Sequence, residues 1–409
     1  MNYENKDLCR VRTVTTFITL SSEKSTWRNE IAKACTFCNE LTNKFVDNGY
    51  EVQSIRIVTN AFGEYLDTTT LQSAKADLKL LSDFLNSFVG DNLRIRFAIG
   101  EAKTVHEIKL LPELIAAYGD LCNACVNVPI GEFNTLDDEL IQHCSTAVQK
   151  ISTLTPRGEG NFNFTVNFNC KALIPYFPAS YHDSSLGNVF VVGLETPDLL
   201  THVLKEFNKN NTVKNHRELF IKYYQMMTEA LQYHVDSIKS ILDSYNNDDF
   251  SFAGIDSSAA PSKNCSSMVE VYELLGVPYF GAAGSVEASA LLTRVFKAIK
   301  GIPLVGFSGL MLAVIEDEGL ARGTVNKEYD IRSLLTYSSV CGIGLDTVPI
   351  PGDTSIEKIS ALMRDTGTMA FRLEKPLTVR LFPTPGLKAG DMTVYESDDL
   401  CNCSVLEVP

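Results

Sequence analysis

Apolar and polar positions along the chain follow two alternating periods. Val11 to Leu20 is a run rich in β-branched residues and predicts a strand. After it, Ile31, Ala34, Cys35, Cys38, Leu41 and Phe45 form an apolar stripe at helical spacing, which Asn48-Gly49 ends. The pair then recurs. Strands are expected over Val52 to Thr59, Leu93 to Ile99 and Cys122 to Val128. Helices are expected over Leu71 to Phe88 with a stop at Gly90, over His106 to Ala117, and over Asp137 to Ile151. Strand then helix, joined by short links, is the pattern of a parallel sheet covered by helices.

The second half is less regular. Phe162 to Asn169 alternates strictly and reads as a strand with one apolar and one polar face. A proline-broken loop, Ile174 to Asp183, separates it from a strand at Val189 to Leu194. A mainly helical segment covers about 198–247, interrupted around Asn208 to Asn215. Phe250 to Asp256, Leu377 to Leu381 and Cys403 to Val408 read as strands. Met268 to Leu275, Ser285 to Lys300, Gly309 to Leu320 and Ile356 to Leu373 read as helices. That gives roughly ten strands with no linker-like gap, so a single α/β domain over 1–409 is expected. The patterning stops at Cys341 to Ser355, where three glycines, two prolines, one cysteine and two aspartates fall within fifteen residues. Such a segment is costly to order, and it reads as a rigid loop kept for its shape.

Composition narrows the class. The 409 residues are 45% hydrophobic, ample for a large core, and the net charge of −14 argues against a nucleic-acid partner. No run of 18 apolar residues is present, so no membrane helix is expected. The polar start, Met1 to Arg10, does not read as a signal peptide. The eleven cysteines are therefore expected to be reduced and the protein cytoplasmic.

Carboxylates carry the candidate chemistry. Asp256 and Glu195 end predicted strands, where sites of parallel α/β folds collect. Either could equally cap a turn. Asp346 and Asp353 lie in the glycine-rich stretch, where they could face a ligand, bind a cation, or cap the helix beginning near Ser355. Cys341 is a candidate nucleophile or a buried small hydrophobe. Tyr181 and His182 sit among aromatics in the proline-rich loop, and Arg380 follows a strand as a candidate anion partner or structural ion pair. Cys35/Cys38 and Cys122/Cys125 have zinc-like spacing, but they fall on a helical stripe and a strand without glycine knuckles. Neither a P-loop nor a dinucleotide fingerprint is present.

Ser339 to Thr354 resembles the signature of the DUF711, or UPF0210, family. Arg12 to Thr15, Gly160 to Phe162, Tyr176 to His182, Gly254 to Asp256, Phe307 to Gly309 and Pro383 to Asp391 resemble its other blocks. The resemblance covers nearly the whole chain. It implies a fold like that of the pyruvate formate-lyase glycyl radical enzymes: a ten-stranded α/β barrel with a hairpin loop inside. It does not imply radical chemistry, because Cys401 to Pro409 carries no Arg-Val-x-Gly-Tyr-type loop. Whether Cys341 takes the place of those enzymes' loop thiol stays open.

The expectation is thus an enzyme, of lyase or hydrolase type, acting on a small polar metabolite by carboxylate- or metal-assisted elimination, hydrolysis or isomerisation. Asp346, Asp256, His182 and Cys341 are the candidate catalytic residues. Tyr181, Glu195, Asp353 and Arg380 are the candidate binding residues. Asp256 and Asp346 could together hold Mg2+ or Ca2+. The alternative is a non-enzymatic sensor of a small ligand. Neither reading calls for a membrane, and both allow a homo-oligomer.

Overall fold

The computed structural model describes residues 2–88, 95–245 and 247–409. Nine strands are present among them: β1 (Arg10–Ile18), β2 (Ile55–Thr59), β3 (Ile95–Glu101), β4 (Asn123–Val128), β5 (Phe164–Phe168), β6 (Val189–Glu195), β7 (Ser251–Asp256), β8 (Gly344–Pro351) and β9 (Leu377–Thr384). The helices are α1 (Trp27–Asp47), α2 (Leu71–Asn86), α3 (Val105–Tyr118), α4 (Asp138–Leu154), α5 (Pro197–Asn210), α6 (His216–Asp243), α7 (Met268–Leu274), α8 (Ser285–Lys297), α9 (Glu318–Val325), α10 (Ile331–Ser338) and α11 (Ile356–Arg372). The expected stop at Gly90 and the expected strand start at Leu93 lie outside the described residues.

All nine strands join one mixed sheet, in the order β7-β6-β1-β2-β3-β4-β5-β9-β8. Strands β1 to β5 form the parallel block that the repeated strand–helix pattern predicts. On each side of it lies a parallel pair running the other way, β6 with β7 and β9 with β8. Caps start the helices where the sequence supplies them. Thr70 with Ser73, and Thr104 with Glu107, close reciprocal capping boxes at α2 and α3.

The ladder stops short of a ring, with β7 at one edge and β8 at the other. Both edges are nevertheless bridged to one irregular segment. Ile255 pairs in parallel with Leu304, and Asp346 pairs in parallel with Ala313. This segment falls where a helix was expected over Gly309 to Leu320. Its Ala313 is instead held to β8, and the helix begins only at Glu318, where Asp317 accepts from the Gly319 and Leu320 amides.

Two further expectations change. Cys341 to Ser355 is largely strand β8, not loop. Pro349 and Pro351 are tolerated because β8 has only β9 as a strand neighbour, so their missing N–H groups break no ladder. Cys403 to Val408 forms no strand and makes one bridge, Met392 with Ser404.

One face of the sheet packs on the helices in the main apolar core, which includes Val14, Ile18, Ile55 and Ile57. The opposite, inner face carries a small cluster of Phe17, Val58, Ala98, Val189 and Val191. The proline-broken loop crosses this inner face. The Pro175 carbonyl accepts from Thr15 at 3.4 Å and from Arg56 at 3.0 Å, and the His182 amide donates to the Thr59 carbonyl at 3.2 Å. Polar residues therefore alternate inward from strands whose other face is buried.

Candidate active site

Two small cavities adjoin on the inner face, of about 40 and about 60 Å3. Arg12, Arg56, Phe177 and Glu316 stand in the walls of both. The smaller is completed by Asp346 and Arg380 among others, and the larger by Arg96, Lys263 and Asp399. Lys263 and Asp398 are exposed, so the larger cavity lies toward solvent.

Strand register assembles the inner end. β8 and β9 pair Leu345 with Val379 and Val348 with Leu381, which sets Asp346 beside Arg380. The register shifts across this point, and Thr347 takes a positive φ of 48°. Arg380 is 5% exposed, and its Nε donates to Asp346 Oδ1 at 2.7 Å while Nη2 donates to Glu316 Oε1 at 2.5 Å. One guanidinium thus bridges two acids. The two carboxylates outweigh the burial of Arg380 and hold its pKa above the ordinary value. Burial pushes the Glu316 carboxyl up, against the downward pull of Arg380. Asp346 Oδ2 is buried with no hydrogen-bond partner among the described residues.

Arg56 differs from its neighbours. It is 6% exposed, and it stands in direct register with Arg96 on the next strand. Nη1 donates to the Pro175 carbonyl, the Phe177 ring lies 5.0 Å from the guanidinium, and Nε has no partner. Among the described residues no carboxylate lies within ion-pair distance of it. Burial first, then Arg12 and Arg96, lower its pKa well below the ordinary arginine value. Arg12 and Arg96 have acidic partners, Glu195 at 3.6 Å and Asp399 at 2.5 Å.

The expected site residues divide around this frame. Asp346 and Arg380 are in the wall. Glu195 stands one step behind it, pairing with Arg10 at 3.2 Å and Arg12 at 3.6 Å. Asp256 is fully buried, and it staples the loop that carries Phe307. Its Oδ1 accepts from the Ser258 and Ser308 amides at 3.0 Å, and its Oδ2 accepts from the Phe307 amide at 2.8 Å. Burial raises its pKa to about 6. Gly306, at φ 62°, permits this approach, because a Cβ there would meet Asp256 Oδ2 at 2.1 Å.

Four candidates stand apart from both cavities. Tyr181 donates to the Cys170 carbonyl at 3.1 Å. His182 is buried near Phe17 with both ring nitrogens unpartnered among the described residues, and burial lowers its pKa to about 4. Cys341 is buried in the main core, its carbonyl accepting from Lys375. Asp353 is exposed, and Ser355 rather than Asp353 caps α11.

Asp256 and Asp346 do not fit a shared divalent cation. Both Asp256 oxygens already accept from amides, and Asp346 is taken up by Arg380. Among the described residues no group of three or more His, Cys, Asp or Glu is arranged to hold a metal ion. Nor is any helix there long and apolar enough to cross a membrane.

The residues that sequence reasoning passed over are Arg12, Arg56, Arg96 and Glu316. The signal available was an arginine inside an apolar strand, as in Ser54-Ile55-Arg56-Ile57-Val58. Arginine is rarely buried unless paired.

Comparison with known proteins gives a consistent picture. The family profile described as "Uncharacterised ACR (DUF711)" matches residues 3–396. A UPF0210 protein of Pyrobaculum aerophilum is 28% identical over 248 residues, which is 59% of this chain and 53% of that protein. UPF0210 proteins of Clostridium botulinum and Caldicellulosiruptor saccharolyticus are 25% and 26% identical, over 70% and 74% of this chain and 63% and 69% of theirs. The matches to the two first Pyrobaculum relatives thus span about half of those proteins' lengths, at 53% and 54%.

Proposed function

The chain belongs to the DUF711 family, and from that premise we propose an enzyme that acts on a small polar metabolite by non-radical acid–base chemistry. The reaction is an elimination, hydrolysis or isomerisation. Glu316 donates a proton and Asp346 accepts one, while Arg380 holds the two carboxyl groups in place. The observation that carries this reading is the Glu316–Arg380–Asp346 bridge at a cavity wall, with Asp346 Oδ2 unpartnered. A Glu316 carboxyl pushed up by burial, beside a carboxylate held by arginine, sets a proton donor next to an acceptor.

The finer architecture belongs to the same proposal. We take the sheet, with residues 303–315 between its edges, as a barrel of the pyruvate formate-lyase type. The parallel bridges at Leu304 and Ala313 support it. Asp256 then acts as a positioning residue, fixing the loop that closes the cavity. The reading needs no metal.

The test is incubation of the full chain with a mixture of small polar metabolites, followed by mass spectrometry. Consumption of one metabolite with appearance of a product supports an enzyme. Retention without turnover would show a ligand sensor and overturn the proposal.

A further inference from the structure

Resting on that site, we infer that the ligand is a small anion, a carboxylate or a phosphate, seated against Arg56 between the two cavities. Five cationic side chains border the cavities: Arg12, Arg56, Arg96, Lys263 and Arg380. Arg380 is paired with both Asp346 and Glu316, Arg96 with Asp399, and Arg12 with Glu195; Glu316 also attracts Arg56, but from beyond ion-pair distance. Lys263 is exposed and solvated. Arg56 alone is both buried and without a carboxylate partner among the described residues.

An arginine cannot escape that position by losing its proton. Its neighbours make matters worse, because Arg56 and Arg96 are directly opposed on adjacent parallel strands. Like charges in that relation are destabilising. Phe177 and the Pro175 carbonyl satisfy part of the guanidinium, and Nε is left bare. A carboxylate or phosphate in the cavity would supply the missing counter-charge, with Arg12 near enough to share the same two cavities. The geometry also sets polarity. The anionic end faces Arg56 and Arg12, and the remainder extends toward Asp346 and Glu316. Cavities of about 40 and 60 Å3 suit a small ligand.

The test uses the full chain with inorganic phosphate, malonate and neutral glycerol, each followed by calorimetric titration and thermal unfolding. Wild type is expected to bind phosphate or malonate and not glycerol, and the anion that binds identifies the head group. Arg56→Gln is expected to weaken that anion at least ~30-fold, the loss usual when one partner of a buried charge pair is truncated. Without ligand, Arg56→Gln is expected to melt no lower than wild type, because it removes an unpaired charge. Should that variant fail to fold, Arg56→Lys serves instead; it keeps the charge, loses the fork, and is expected to bind with intermediate strength. Binding of neither anion by wild type, or equal binding by the Arg56 variants, overturns the inference. The outcomes distinguish it from the catalytic proposal. Anion binding without turnover by wild type would sink the enzyme reading alone, and turnover without loss of affinity in the Arg56 variants would sink this inference alone.

Discussion

Replacing Arg380 with methionine should turn the inner cavity into a pH-sensitive weak point. The guanidinium bridges Asp346 at 2.7 Å and Glu316 at 2.5 Å, with all three groups largely removed from water. Arg380→Met leaves two acids in one cavity with no cation between them. Breaking a buried pair by removing one partner costs about 3–5 kcal/mol. With an unfolding entropy of about 2.1 cal/mol/K per residue, the 409-residue chain converts that cost to a melting decrease of ~3–6 °C. The loss is not constant with pH. Without Arg380 the pull that lowers the Glu316 pKa is gone, while burial and Asp346 still raise it. A raised folded pKa gives stability that is present at low pH and lost as pH rises through that value. Scanning calorimetry of wild type and variant at pH 5 and pH 8 is the assay. The deficit should be largest at pH 8, shrink at pH 5, and shrink at both in Arg380→Met/Glu316→Gln. A deficit below about 1 °C at pH 8, or one independent of pH, would refute the reasoning.

Two buried titrations near the inner face should act in opposite directions. Asp256, raised from 3.8 to about 6, favours the fold when protonated. Wild type should therefore gain up to about 3 kcal/mol over Asp256→Asn as pH falls from 6 to 4, read by urea titration at each pH. His182 is lowered from 6.5 to about 4, so the neutral ring is the one the fold accommodates. Its contribution is present above pH 6.5 and lost as pH falls toward 4, by about 3 kcal/mol. His182→Phe, which keeps a ring beside Phe17, should lack that acid loss. Parallel pH curves for variant and wild type would count against either assignment.

The parallel block was legible because β1 to β4 are short strands, rich in apolar residues, each followed by an amphipathic helix. The Cys341 to Ser355 segment misled for a physical reason. Proline and glycine mark breaks in a central strand, yet β8 sits at the edge of the ladder, where Pro349 loses no partner and its carbonyl accepts from the Leu406 amide at 3.0 Å. The apolar run from Gly309 read as a helix, but its Ala313 bridges in parallel to Asp346 of β8, a pairing that no local window reports. Asp346 and Arg380 were each identified singly. Their pairing across β8 and β9 depends on a register that only the folded sheet sets. Arg56 was invisible because a lone arginine in a strand normally points to solvent. Knowing that the loop through Pro175 and Phe177 covers it requires the tertiary structure. Asp353, by contrast, had the better cap-like context and proved to be an exposed residue.

Proton transfer at the inner cavity is tested most directly by Glu316→Gln. The carboxamide keeps the size of the side chain and can still accept from Arg380, but it cannot deliver a proton. For whichever small anionic metabolite the wild-type chain consumes, rates for both proteins should be followed by mass spectrometry across pH 5 to 9. The expected result is a fall in kcat of about 100-fold or more, with the wild-type limb that reports a raised carboxyl pKa absent from the variant. Equal rates with an unchanged pH profile would contradict the account.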